Sequence, residues 1–181
     1  MAAIGRFQSG EEIFYGKVVD GELFRLNGDV FGSPTFEKKK TPWKGVKTLP
    51  PVAPSKVIAV GLNYADHAHE SGKDIPPSPL FWLKAPSSII PDGAKIEVPF
   101  PEHRTDYEAE LAIIIGRRVR NVTPAAAARY ILGYTAAQDI SDRDIQNSES
   151  QWARAKSFDT FTPLGPYIET KIDPKNLKVQ Q

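Results

Sequence analysis

The residues best placed to do chemistry lie in Asp106–Gly116, D-Y-E-A-E-L-A-I-I-I-G. On a strand, successive side chains alternate between faces. Asp106, Glu108 and Glu110 then share one face, and Tyr107, Ala109 and Leu111 the other. Glu108 and Glu110 would stand ~6.5 Å apart along the chain. Two carboxylates that close, leading into the apolar run Leu111–Ile115, conflict: like charge raises one pKa and burial raises both. A hard divalent cation removes the conflict, because such ions prefer oxygen ligands. The competing reading is a solvent-facing strand end whose acids pair with Lys or Arg.

A second candidate is N-Y-A-D-H-A-H-E-S-G, which follows Leu62. Asn63 can cap a short helix that Ser71-Gly72 ends. His67 and Glu70 then fall at i and i+3 on one face. A carboxylate beside an imidazole raises its pKa and orients it, as a general base requires. The alternative is an exposed ion pair on a surface helix, which contributes little.

The elements that must position these groups follow in chain order. Residues 1–46 read as a small β-rich unit: Ile13–Val19 and Glu22–Leu26 flank Asp20-Gly21, a two-residue hairpin signal. Asn27-Gly28 marks a further turn, and Lys38–Lys40 a solvated loop. Residues 47–55 form a proline-rich, extended linker. Residues 56–181 make the second domain. Within it, Lys56–Gly61 reads as a buried strand, Leu80–Leu83 as a short apolar strand and Lys95–Val98 as another. Thr123-Pro124 opens a helix that runs to Gly133. Tyr134–Asp139 is a strand ending in an acid. Ser141 caps a short helix carrying Arg143 and Gln146, and Tyr167-Ile168 starts a last strand.

Composition removes several functional classes. A length of 181 residues suits one domain, or one with an appendage. A net charge of +1 gives no electrostatic case for nucleic acid. The absence of cysteine excludes disulfides, zinc-thiolate sites and a thiol nucleophile, and fits a cytoplasmic protein. No apolar run approaches the ~18 residues of a membrane span. Dinucleotide, P-loop, nucleophile-elbow and H-E-x-x-H motifs are lacking.

Five motifs occur in one order: N-Y-A-D-H-A-H-E, P-L-F-W-L-K-A-P-S-S, D-Y-E-A-E-L-A-I-I-I-G, G-Y-T-A-A-Q-D-I-S-D-R-D-I-Q and R-A-K-S-F-D-T-F-T-P-L-G-P. Over residues 56–168 this order resembles the fumarylacetoacetate hydrolase family. The N-terminal unit is similar to the appendage of members called 2-hydroxyhepta-2,4-diene-1,7-dioate isomerases. The resemblance implies a mainly β (α+β) fold, a β-sandwich roll with short helices, usually a homodimer. It implies that Glu108, Glu110 and Asp139 hold one Mg²⁺ or Mn²⁺, with Ca²⁺ as a substitute. It assigns His67 and Glu70 to the water-activating dyad and Lys156 to the bound substrate. Arg143 and Gln146 match substrate-binding polar residues, as Lys84 does in the pocket. The family's N-G-x-x-x-Q strand and T-G-T-P-x-G-V-G loop do not occur, so 56–181 is expected to be truncated at its C-terminal side.

The substrates so implied are small pyruvate-headed 2-oxo acids such as acylpyruvates, whose carboxylate and keto oxygens can chelate a divalent ion. The expected reaction is C–C hydrolysis through an enolate, with water activated by His67 and positive charge from Lys156. The same enolate serves an isomerase or an oxaloacetate-type decarboxylase. A non-catalytic keto-acid binder or inactive remnant is the remaining alternative. No nucleic-acid or membrane partner is expected.

Overall fold

The computed structural model describes residues 3–70, 72 and 74–180, with the side chains of His67, Ala68 and Glu70 outside that description. The chain is mainly β, with short helices. Its strands are β1 (Ala3–Ser9), β2 (Glu12–Val19), β3 (Glu22–Asn27), β4 (Thr35–Phe36), β5 (Val46–Leu49), β6 (Val57–Gly61) and β7 (Leu80–Lys84). They continue as β8 (Ile89–Ile90), β9 (Thr105–Asp106), β10 (Ala109–Ile115), β11 (Ile131–Gln138), β12 (Ser141–Asp142), β13 (Thr162–Pro163) and β14 (Ile168–Glu169). The helices are α1 (Ala65–Glu70), α2 (Pro124–Ala127) and α3 (Arg143–Ser148). Among the described residues, no helix is long and apolar enough to cross a membrane.

One sheet has the order β10-β11-β14-β1-β2-β3-β4, with β5 also on β1. The β2–β3 hairpin turns at Asp20-Gly21, where both φ values are positive (50° and 77°). That is the backbone a two-residue hairpin turn demands. β1 joins the two halves of the sequence: Ala3 and Ile4 pair with Glu169 and Ile168, while Arg6–Ser9 pair with β5. The core follows the same division. Ile4, Val30 and Val52 pack with Ile114, Leu164 and Ile168. Phe7, Phe14 and Leu23 form a second cluster, and Trp43 meets Phe7 edge-on at 5.6 Å. Each fully buried large side chain contributes ~1.5–3 kcal/mol.

Several expectations are corrected. The helix from Thr123 ends early. α2 stops at Ala127, a 3-10 turn covers Ala128–Tyr130, and β11 already begins at Ile131. Gly133 is therefore inside a strand, and a Cβ there would stand 2.5 Å from the Glu169 carbonyl oxygen. The residue permits close approach of β14 instead of ending a helix. Lys95–Val98 forms no strand; the Glu97 amide instead donates to Thr160 Oγ1. The strands expected to be buried are half open. Ile58 is 57% exposed and Ile113 53%, because among the described residues β6 pairs with β7 alone and β10 ends the sheet order.

Candidate active site

Backbone pairing assembles the acids. β10 and β11 pair with Ala109 opposite Gln138, and the Asp139 amide donates to the Glu108 carbonyl at 3.0 Å. Residues 31 apart in sequence thus become neighbours. Pairing of β9 with β12 places Asp106 opposite Ser141. Asp106, Glu108, Glu110 and Asp139 all line one cavity of about 1300 Å³, with Arg143, Gln146 and Lys156.

Lys156 is 2% exposed. Its Nζ donates to Glu108 Oε2 at 2.8 Å, Asp139 Oδ2 at 3.0 Å and Ser141 Oγ at 2.5 Å. Arg143 donates through Nε to Asp106 Oδ2 at 2.9 Å, through Nη2 to Glu108 Oε1 at 2.5 Å, and through Nη1 to Gln146 Oε1 at 2.7 Å. Burial opposes ionisation of Glu108, but Lys156 and Arg143 outweigh it and hold that carboxyl below its usual range. Lys84 does not line the cavity. It is buried at the end of β7 and donates to Asp139 Oδ1 and, at 3.2 Å, to the Phe161 carbonyl. Burial pulls its pKa down against the pull of Asp139.

Glu110 differs from its neighbours. Its recorded polar partner is the Tyr64 hydroxyl, at 3.5 Å. Burial, then Asp139 and Glu108, push its carboxyl up to about 7. Carboxylates outnumber cations on the cavity wall. A set of hard oxygen donors, one of them bonded to no ammonium or guanidinium among the described residues, fits a divalent cation. As they stand, Glu108, Glu110 and Asp139 do not close into a tight triad, since Lys156 lies between two of them. Among the described residues, the grouping with ligand atoms all within 4.8 Å of one another is His103, Asp142 and Asp144.

That second grouping is already internally bonded. His103 Nδ1 is 2.7 Å from Asp142 Oδ2. Asp142 Oδ1 accepts from the Ile145 amide, and Asp144 Oδ2 from the Arg104 amide. The hydrogen bond to Asp142 raises the His103 pKa. Asp142 is thus the N-cap of α3, the position expected for Ser141. Ser141 lies in β12, where its hydroxyl donates to the Asp139 carbonyl at 3.0 Å. The cluster anchors the helix that carries Arg143 and Gln146.

His67 and Glu70 belong to α1, but their side chains lie outside the described residues. Asp66, on the same helix, lines the cavity. Sequence reading missed Trp82, Trp152 and Tyr64 as wall residues. The alternation on β7, which turns Trp82 and Lys84 to one face, was the available signal for the first.

Comparison with known proteins agrees with this architecture. Residues 56–180 match the model described as fumarylacetoacetate (FAA) hydrolase C-terminal, and residues 3–51 match Rv2993c-like, N-terminal. An uncharacterized protein of Archaeoglobus fulgidus is 45% identical over 98% of this chain and 67% of its own. The human mitochondrial protein named oxaloacetate tautomerase FAHD2B is 39% identical over 76% of this chain and 46% of its own. The crystal structure titled 5-carboxymethyl-2-hydroxymuconate delta-isomerase from Mycobacterium smegmatis superposes with a TM-score of 0.85 at 40% identity, covering 95% of this chain and 68% of its own. The chain therefore spans from about half to about two thirds of the length of these relatives. By its match over most of its length, the chain belongs to the fumarylacetoacetate hydrolase family.

Proposed function

We propose that this chain carries the head-binding site of a divalent-metal-dependent enzyme that forms an enolate from pyruvate-headed 2-oxo acids. The observation that carries this reading is the shared cavity of Glu108, Glu110 and Asp139 with Lys156 among them. Glu108, Glu110 and Asp139 would hold Mg²⁺ or Mn²⁺. The ion, when bound, supplies Lewis-acid polarisation of the substrate's carboxylate and keto oxygens. Lys156 places a buried ammonium where negative charge develops, and a low-dielectric setting strengthens that effect. Arg143, fixed by Asp106 and Gln146, presents a guanidinium to the same cavity.

The reaction we favour is C–C hydrolysis of an acylpyruvate, with His67 oriented by Glu70 as the base that activates water. A second reading is proton transfer on the same enolate, as in a tautomerase or isomerase. It is favoured by the relatives bearing those names, and it needs a base but no attacking water. The protein would act as a cytoplasmic homodimer.

The test is a panel of acylpyruvates, oxaloacetate and its enol on the full-length protein with Mg²⁺ and with Mn²⁺. Metal-dependent turnover of an acylpyruvate, with oxygen from ¹⁸O-water in the released acid, supports hydrolysis. Tautomerisation alone supports the second reading. No metal-dependent turnover of any pyruvate-headed compound rejects both.

A further inference from the structure

The stretch that enters β9 holds Arg143 at both ends. The Arg143 amide donates to the Arg104 carbonyl at 2.8 Å. Its Nε donates to Asp106 Oδ2, two residues further along the same stretch. The Arg104 amide in turn donates to Asp144 Oδ2 at 2.8 Å, and Thr105 pairs with Asp142. Backbone and side chain of Arg143 therefore both take their place from residues 104–106.

His103 ties this stretch to the start of α3. Asp142 is 1% exposed, so its oxygens depend on partners within the protein. Oδ1 accepts from the Ile145 amide at 3.0 Å, and Oδ2 stands 2.7 Å from His103 Nδ1. A carboxylate only accepts, so Nδ1 is the nitrogen that carries the proton. The imidazole lies on the Phe100 ring, with centroids 4.9 Å apart and planes at 28°. Phe100 meets Phe158 edge-on, and Phe158 meets Phe161, which is fully buried. The imidazole is thus fixed by the core on one side and bonded to the α3 cap on the other. Removing its donor would strand a buried carboxylate oxygen one residue before Arg143.

That residue faces the cavity of the acids. Asp106, Glu108 and Gln146 each take one N–H of its guanidinium, and a guanidinium has more donors than that. The others remain, among the described residues, for a ligand. Planar recognition of a carboxylate by such a group depends on alignment, and a misplacement of about 1 Å can be costly. The start of α3 sets that alignment.

We infer that His103 is a positioning residue for anion binding: through Asp142 and the start of α3 it aims the Arg143 guanidinium at the carboxylate of the bound head. The inference rests on the 2-oxo acid head lying at Glu108, Glu110 and Asp139, beside Arg143. It gives His103 a role apart from metal ligation.

The test titrates oxalate, a mimic of the head, into the full-length protein in saturating Mg²⁺ by calorimetry, with Mn²⁺ affinity measured separately. His103→Phe keeps a ring on Phe100 and removes the donor. His103→Asn removes the ring and keeps an amide N–H for Asp142. The expected result is oxalate binding about tenfold weaker in His103→Phe and within about threefold of the unmodified protein in His103→Asn, with Mn²⁺ affinity within about twofold in both. In an Arg143→Met background, His103→Phe should weaken oxalate further by no more than about twofold, because residues that act through one group are not additive. Unchanged oxalate affinity in His103→Phe overturns the inference, as does an undiminished effect in the Arg143→Met background. A loss in His103→Asn as large as that in Arg143→Met also overturns it, and does not require His103→Phe to fold. Parallel loss of Mn²⁺ and oxalate would make His103 a metal ligand and overturns it too. Failure of oxalate to bind the unmodified Mg²⁺-loaded protein instead rejects the head site on which the inference rests.

Discussion

Replacing Lys156 by methionine tests the electrostatics of the site. The side chain is buried, and its Nζ bonds Glu108, Asp139 and Ser141. Methionine keeps most of the volume and removes the charge. Glu108 retains Arg143, and Asp139 retains Lys84. The two carboxylates then face each other with one shared cation fewer. Breaking a buried ion pair by removing one partner costs about 3–5 kcal/mol. The retained partners place the expected loss at the lower end, about 3 kcal/mol, or roughly 6–12 °C in Tm for a chain of this size. A divalent ion can replace the lost charge, so Mn²⁺ should restore more stability to Lys156→Met than it adds to the unmodified protein. The gain follows from mass action, about 2.7 kcal/mol at a hundredfold excess over Kd. The assay is thermal unfolding with and without Mn²⁺, on the full-length protein. A metal-free loss below ~1 kcal/mol, or equal Mn²⁺ stabilisation of both proteins, would refute this account of Lys156.

Three further outcomes are expected. Glu110 titrates near 7 instead of 4.5; its raised pKa favours the metal-free fold fully below pH 4.5, and that contribution is lost as pH rises through 7. Metal needs the ionised form, so Mn²⁺ affinity should rise about tenfold per pH unit below 7 and level off above it, a slope that calorimetry should find flattened in Glu110→Gln. Asp142→Ala should cost about 1–2 kcal/mol in urea unfolding through loss of the α3 cap, and Asp142→Asn less, because the amide oxygen can still accept from the Ile145 amide. His67→Ala should abolish ¹⁸O incorporation from water during acylpyruvate cleavage while Mn²⁺ affinity stays within about twofold; equal loss of both would move His67 to the metal.

Strand alternation drew attention to Asp106, Glu108 and Glu110, and all three line the cavity, but Tyr107 and Ala109 line it too, because residues 107–108 interrupt the ladder between β9 and β10. The Asp20-Gly21 hairpin was legible because its two turn residues carry the signal themselves, and both have positive φ. What sequence could not supply was register. Only the pairing of Ala109 with Gln138 brings Asp139 beside Glu108, and only the fold brings Lys156 between them. The alanine run before β11 looks helical, yet Ile131 and Leu132 enter a ladder, and Gly133 admits the Glu169 backbone. Tertiary pairing overrode local propensity there. Apolar runs in β6 and β10 suggested burial, but burial depends on what covers both faces, and these strands lie in a two-stranded ribbon and at a sheet edge. Trp152 had no local pattern to mark it; its role on the wall comes from Gly61 and Trp82, far away in sequence.

The most direct test of the central claim is Mn²⁺ binding, followed by electron paramagnetic resonance, to the full-length protein and to Glu108→Gln, Glu110→Gln, Asp139→Asn and Asp144→Asn. The account predicts one bound ion per chain, at least about tenfold weaker in each of the first three variants and nearly unchanged in Asp144→Asn. Full affinity in the first three, with loss in Asp144→Asn, would put the ion at His103, Asp142 and Asp144 and contradict the proposed site.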